Sequence, residues 1–131
     1  MREILFRGKE LNTGKWIEGD LIHSLGRTYC GYYAETLGQV DPISVGEYTG
    51  IKDAKGLRIF EGDIVAAHLD RLNPSDTTVC FVAWNDFAWR ICQPGCSPDM
   101  LESYDYGTWT VIGNIHDNPE LLENAHERIS I

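Results

Sequence analysis

Four carboxylates occupy matched positions in two similar segments of the chain. Residues 16–22 read WIEGDLI and residues 59–65 read IFEGDIV. In an extended strand, side chains two residues apart point to the same face, so each Glu-Gly-Asp would present two carboxylates side by side. Carboxylate oxygens are ligands that hard divalent cations prefer. The candidate metal ligands of this sequence are therefore Glu18, Asp20, Glu61 and Asp63.

The same motif also has a structural interpretation, which we favour. Gly19 and Gly62 allow a strand to bend sharply, and the following Asp can accept hydrogen bonds from nearby backbone N–H groups. A catalytic carboxylate pair would also need a pocket and shifted pKa values, which a sequence does not show. We therefore expect a piece of β architecture, with a metal-dependent hydrolase or nuclease as the alternative.

Other catalytic signatures are absent from the sequence. It contains no G-x-S-x-G, no H-E-x-x-H and no glycine-rich loop of phosphate-binding form. The four histidines are scattered without the spacing of metal ligands. The sequence therefore predicts no catalytic residue and no cofactor.

Cys92 and Cys96 form the one local cysteine pair, separated by Gln-Pro-Gly. A Pro-Gly turn would bring the two sulfurs close, giving either half of a zinc site or a reversible disulfide. None of the four cysteines, which include Cys30 and Cys80, falls in C-x-x-C spacing. We expect reduced thiols, and the choice between metal and disulfide at the pair stays open.

The charge of the chain limits its partners. Its 131 residues carry 11 Lys and Arg against 20 Asp and Glu, a formal net charge of −9. Such a charge repels phosphate backbones, so nucleic acid is a disfavoured partner. No apolar run is long enough to span a membrane, and the first eight residues lack the apolar stretch of a secretory signal. We therefore expect a cytoplasmic protein without a membrane partner.

Aromatic residues are dense in the chain and point to a protein partner. We expect most of them in the core and a minority exposed, because exposed Tyr, Trp and Phe are common anchors of interfaces. Either a different protein or a second copy, forming a homo-oligomer, would fit. The residues in question are Tyr29, Tyr32, Tyr33, Trp84, Phe87, Trp89, Tyr104, Tyr106 and Trp109.

Alternating apolar residues and frequent turn signals predict a mainly β fold. An opening hairpin is predicted around the turn at residues 11–14, and a second hairpin around Asn85-Asp86. Residues 57–67 read as one strand with a glycine-marked bend. Both faces of the second hairpin are apolar, so it should lie centrally. A capping residue followed by Pro predicts one short helix at residues 97–102 and another beginning near residue 118.

Several separate blocks of the chain resemble the YopX family of phage and prophage proteins. The central blocks are EYTGIKD at residues 47–53, KG at residues 55–56 and IFEGDIV at residues 59–65. The opening MREILFR, VAW at residues 82–84 and the closing VIGNIHDNPELL at residues 111–122 also resemble the family. The resemblance therefore covers nearly the whole chain.

This resemblance implies a fold but no reaction. The implied fold is a β-rich α+β domain over residues 1–131, with N-terminal β-hairpins in a part of about residues 1–50. An SH3-like barrel is implied in a part of about residues 51–131. The resemblance also implies a protein encoded by a phage or prophage and acting in the cytoplasm of a bacterial host. We expect an accessory protein that serves as a protein-binding or assembly module.

Overall fold

The computed structural model describes residues 3–32, 36–69, 72–73, 75–105 and 107–123. Strands dominate these residues, which confirms the predicted mainly β fold. The chain divides into two compact units, residues 1–50 and residues 51–131.

The N-terminal unit is an antiparallel sheet with the strand order β4-β3-β2-β1-β5. The predicted opening hairpin is present: β1 pairs with β2, and Gly14 takes a positive φ of 71° in the turn between them. A 3-10 turn at Pro42–Ser44 precedes β5, and the Asp41 side chain caps it by accepting from the Ile43 N–H. The strands are β1 (Phe6–Lys9), β2 (Trp16–Ser24), β3 (Arg27–Gly31), β4 (Gly38–Gln39) and β5 (Gly46–Lys52).

The C-terminal unit contains β6 and a second antiparallel sheet with the order β10-β9-β8-β7-β11. A 3-10 turn at Leu101–Ser103 follows β10, and residues 120–123 are helical, close to the predicted start. The strands are β6 (Arg58–Phe60), β7 (Asp63–Ala67), β8 (Thr78–Asn85), β9 (Ala88–Cys92), β10 (Asp99–Met100) and β11 (Thr110–Asn114).

Strand β8 lies in the middle of this sheet, and apolar side chains pack on both of its faces. Alternate residues of β7 and β8 contribute to two separate clusters, as the two-residue period of a strand requires. This confirms the prediction that the β8–β9 hairpin is central. One cluster contains Ile59, Val65, Ala67, Cys80, Val82, Ile91, Leu101 and Trp109. The other contains Ile64 and Val79, covered by Phe81, Ile115, Leu121 and Leu122.

Two local predictions are wrong. The helix predicted at residues 97–102 is absent, because Asp99 and Met100 pair with β9 instead and only a 3-10 turn follows. A helix of six residues is too short to be stable alone, so strand pairing and the burial of Leu101 decide the conformation. The single strand predicted at residues 57–67 is two strands, β6 and β7, separated by a turn at Glu61-Gly62. The SH3-like barrel stays a prediction, since β10 and β11 stand at the two ends of an open strand order.

A buried carboxylate fixes the turn that leads into β6. Asp53 is only 2% exposed, and its Oδ1 accepts from the backbone N–H groups of Lys55 and Leu57, both at 2.8 Å. Its Oδ2 accepts from the backbone N–H of Val111 in β11 at 3.0 Å. The Ala54 N–H donates to the carbonyl of Trp109 at 2.9 Å. The turn is therefore attached to β11 through the Asp53 side chain, and to the residue before β11 through one backbone hydrogen bond.

These contacts shift the pKa of the Asp53 carboxyl. Burial by itself raises the pKa, but hydrogen bonds from the N–H groups of Val111, Leu57 and Lys55, with the charge of Lys55, outweigh it. The net pKa lies below its usual value. The ionised carboxylate is therefore the form that the folded state stabilises.

We expect Asp53→Asn to lower the free energy of unfolding by about 1–3 kcal/mol at pH 7, because the amide nitrogen would face backbone donors. A lowered folded-state pKa means that the stabilisation is complete above the unfolded-state pKa of about 3.9 and is lost as the pH falls through the folded-state value. Urea unfolding at neutral and acidic pH measures both effects. The difference between wild type and variant should shrink in acid.

The exposed Asp105→Asn is the matched control and should unfold like the wild type. An equal stability loss in both variants, or a loss that does not depend on pH, would contradict the assigned role of Asp53.

Candidate functional site at the β8–β9 hairpin tip

The first Glu-Gly-Asp segment lies within β2 in the N-terminal unit. Glu18 and Asp20 are exposed, and Gly19 between them is buried with a φ of 149°. A Cβ at Gly19 would overlap the backbone of Gly31 in β3. Here the glycine permits two strands to approach closely, while the two carboxylates point to solvent.

The second Glu-Gly-Asp segment adopts a different conformation in the C-terminal unit. Glu61 and Gly62 form the turn between β6 and β7, and Gly62 has a φ of 90°. Asp63 is 1% exposed, and its Oδ2 accepts from the Phe60 N–H at 2.7 Å. Gly62 donates to the Val82 carbonyl and accepts from the Ile115 N–H, each at 2.8 Å. The segment thus holds the turn against two other parts of its unit.

The four candidate ligands are therefore divided between the two units, two in each. Glu18 and Asp20 belong to residues 1–50, and Glu61 and Asp63 to residues 51–131. Within the part of the chain that the structure describes, no three His, Cys, Asp or Glu side chains are grouped closely enough to hold a metal ion. The metal-site hypothesis keeps only its sequence pattern as support.

The cysteines are free thiols in the structure. Burial raises the pKa of Cys30 to about 11 and that of Cys80 to about 12, so both thiols are protonated at neutral pH. Cys92 is half-buried and Cys96 exposed, at the two ends of a turn in which the Cys96 N–H donates to the Gln93 carbonyl. Neither buried thiol has the low pKa of a reactive cysteine.

Two of the three non-glycine residues with a positive φ in the described part of the chain lie at the tip of the β8–β9 hairpin. Trp84 pairs with Trp89 and Asn85 with Ala88, which leaves Asp86 and Phe87 as a two-residue turn. Their φ values are 50° and 62°, both in the left-handed region, as a type I′ turn requires. Asn or Asp followed by Gly is the preferred sequence there. Phe87 takes the glycine position and is 94% exposed.

One ring contact and two hydrogen bonds hold this tip in place. The rings of Trp84 and Trp89 meet edge to face, with centroids 5.0 Å apart and planes at 70°. Trp84 nevertheless remains 50% exposed. Arg90 donates from Nε to the Asn85 carbonyl at 3.2 Å and from a terminal nitrogen to the Asp86 carbonyl at 3.4 Å. Phe87 and Trp84 are therefore exposed on a turn whose backbone is held by the Arg90 side chain and by the contact between the two tryptophans.

The part of the sequence that contains the tip has few cationic residues. Met100 pairs with Arg90 of β9, and the 3-10 turn Leu101–Ser103 that follows it carries the exposed Glu102. Asp86 lies in the turn itself and is also exposed. In the sequence, Arg90 is the only Lys or Arg between residues 72 and 127. This cation is already directed at two carbonyls of the tip.

The aromatic residues that the structure describes include both buried and exposed side chains, as expected. Trp109 is buried, Trp89 and Tyr104 are half-buried, and Trp84, Phe87 and Tyr32 are exposed. Tyr33 and Tyr106 lie outside the described residues. The sequence placed the hairpin turn one residue early, at Asn85-Asp86, and so assigned Phe87 to a strand. The cross-strand pairs Trp84 with Trp89 and Asn85 with Ala88 show that Phe87 is a turn residue.

The fold and this site define a mainly β protein with an exposed aromatic hairpin tip, and comparison with known proteins places the chain in a family. A model of the family described as YopX protein matches residues 5–123. The chain therefore belongs to the YopX family, which confirms the resemblance seen in the sequence.

Two crystal structures have a similar fold. Protein EF1440 from Enterococcus faecalis is 22% identical with a TM-score of 0.60, and the match covers 93% of this chain and 99% of that one. YopX from Bacillus subtilis is 22% identical with a TM-score of 0.57, covering 93% of this chain and 97% of that one. Among curated proteins no sequence matches. None of the helices in the described residues has the length and apolar character needed to cross a membrane.

We expect Asp63→Asn to destabilise the protein by about 1–3 kcal/mol, because the variant weakens the acceptor of a buried N–H in the turn. Asp20→Asn changes an exposed carboxylate and should leave the melting temperature unchanged. Thermal unfolding with and without MnCl2 tests the two interpretations together. The structural interpretation predicts no effect of Mn²⁺ on either variant or on the wild type. A rise in the wild-type melting temperature that either substitution abolishes would favour the metal site.

Proposed function

We propose that the chain is a protein-binding module that contacts its partner through the tip of the β8–β9 hairpin. The observation that carries this proposal is Phe87, a large apolar side chain that is 94% exposed on a backbone with a φ of 62°. Left-handed backbone costs a residue with a Cβ about 1–2 kcal/mol relative to the right-handed form. Because Phe87 is almost fully exposed, its side chain buries little apolar surface that could offset this cost.

The residues around Phe87 support a contact with protein. Trp84 adds a second exposed aromatic surface beside it, and aromatic residues are enriched at the centres of protein interfaces. The bracing by Arg90 and by the Trp84–Trp89 pair reduces the entropy lost on binding. The net charge of −9 disfavours a nucleic-acid partner.

Within this proposal, the protein is an accessory component of a phage or prophage that works in the cytoplasm of the bacterial host. The SH3-like barrel implied by the family resemblance would then serve as a scaffold for the hairpin. Binding sites on rigid elements are held more accurately than sites on loops, so such a scaffold would suit a hairpin that presents an anchor residue.

Phe87→Gly should raise the free energy of unfolding by about 1 kcal/mol, because glycine adopts the left-handed conformation without strain. The same variant should lose the partner. Urea unfolding measures the first effect. For the second, nuclease-treated bacterial lysate is passed over immobilised wild type and variant, and the retained proteins are quantified by mass spectrometry. We expect at least one protein whose retention falls about tenfold or more with Phe87→Gly, since interface anchors contribute about 2 kcal/mol or more.

Leu25→Asn is the matched control. Leu25 is 98% exposed at a φ of 51° in the β2–β3 hairpin of the other unit, where Gly26 follows it with a φ of 75°. Asparagine tolerates this conformation, so the variant should also be stabilised but should retain the same proteins as the wild type. Equal retention by the wild type and Phe87→Gly would contradict the proposed contact.

A further inference from the structure

We infer that the partner of the hairpin tip is a protein with an apolar pocket bordered by Lys and Arg side chains. This inference rests on the proposed function and adds the chemistry of the partner to it. Phe87 would enter the pocket, and the acidic residues around the tip would face the basic border.

The shape of the tip favours a pocket over a flat surface. Only two residues form the turn, and Phe87 is the apolar one of them. Its ring stands almost wholly in solvent, while Trp84 is half covered by Trp89. A single projecting ring loses most of its contact with water only when a concave surface surrounds it.

The charges around the tip specify the border of that pocket. Asp86 is exposed on the tip, and Glu102 is exposed on the 3-10 turn that follows β10. Asp99, on β10, is held by hydrogen bonds from the Tyr104 hydroxyl and the Met100 N–H, at 2.9 Å each. The Arg90 guanidinium donates to carbonyls of the tip itself. The Arg90 guanidinium offsets one of these charges. The acidic character of this part of the chain remains, because Arg90 is the only Lys or Arg between residues 72 and 127 of the sequence.

The same charges argue against two other occupants. A second copy of the chain would bring another net charge of −9 against the first, and like charges facing each other destabilise a contact. Nucleic acid would meet the same repulsion from its phosphates. A basic protein surface both attracts the tip over a distance and orients it before contact.

Photo-crosslinking from position 87 tests this inference directly. Phe87→p-benzoylphenylalanine keeps an aromatic ring at the tip and, on irradiation in bacterial cells, attaches to the protein that surrounds it. Mass spectrometry of the purified adduct then identifies the attached peptide. We expect a peptide from another protein, with Lys or Arg side chains flanking an apolar pocket in that protein. Leu25→p-benzoylphenylalanine is the control and should not give this adduct.

Charge variants provide a second readout with the partner that the crosslink identifies, purified and unmodified. The double variant Asp86→Asn, Glu102→Gln should weaken its binding at least about fivefold at low salt, mainly by slowing association. Raising NaCl to about 0.5 M should weaken the wild type similarly, since added salt shortens the Debye length and screens exposed charges that lie farther apart than it. Glu18→Gln with Asp20→Asn removes the same charge from the other unit and should leave binding unchanged.

The outcomes separate this inference from the proposed function. A crosslinked partner that binds independently of salt and of Asp86 and Glu102 would overturn the basic border while leaving the protein-binding function in place. Adducts between two copies of the chain would overturn the inferred partner in favour of self-association. The absence of any adduct specific to position 87 would overturn the inference and the proposed contact together.

Discussion

Removing the Asp53 carboxylate from water costs free energy, and hydrogen bonds from the surrounding backbone offset that cost. Three N–H groups meet its two oxygens, and one of them belongs to Val111, which lies 58 residues further along the chain. The carboxylate therefore links the turn before β6 to β11, at the edge of the five-stranded sheet. The N–H of Val111, at a sheet edge, is satisfied within the chain rather than left for another strand.

This arrangement also shows how far sequence reasoning reaches. A polar turn at residues 52–56 was predictable, because Asp, Lys and Gly together are typical of turns. Hydrogen bonds from Asp53 to Lys55 and Leu57 follow from local geometry. The bond to Val111 does not, because it depends on how distant strands come together. Local chemistry is readable from a sequence, whereas the partner of a buried group depends on the complete fold.

The two Glu-Gly-Asp segments also show that identical residues can adopt different conformations. We expected both glycines to allow a sharp bend in a strand, yet Gly19 permits close strand contact in mid-strand and Gly62 forms a turn. Neighbouring strands decide between these roles: β3 lies against Gly19, while Val82 and Ile115 bond to Gly62. At the β8–β9 hairpin, the error was a shift of one residue. No Asn-Gly pair marks the turn, and pairing of the two tryptophans sets the register. Phe87 was therefore assigned to a strand, because a residue that disfavours left-handed backbone does not mark a turn in a sequence.

The Asp86-Phe87 turn has a consequence for the order in which the chain folds. Hairpins with two-residue turns close early when the turn residues already favour left-handed backbone in the unfolded ensemble. Phe87 seldom visits that region, so the turn cannot act as an early nucleus for the hairpin. We expect pairing of β8 with β7 and collapse of the apolar residues around β8 to come first, with the tip closing near the end. Phe87, which the proposed contact requires, therefore also makes it less favourable for folding to begin at the β8–β9 hairpin.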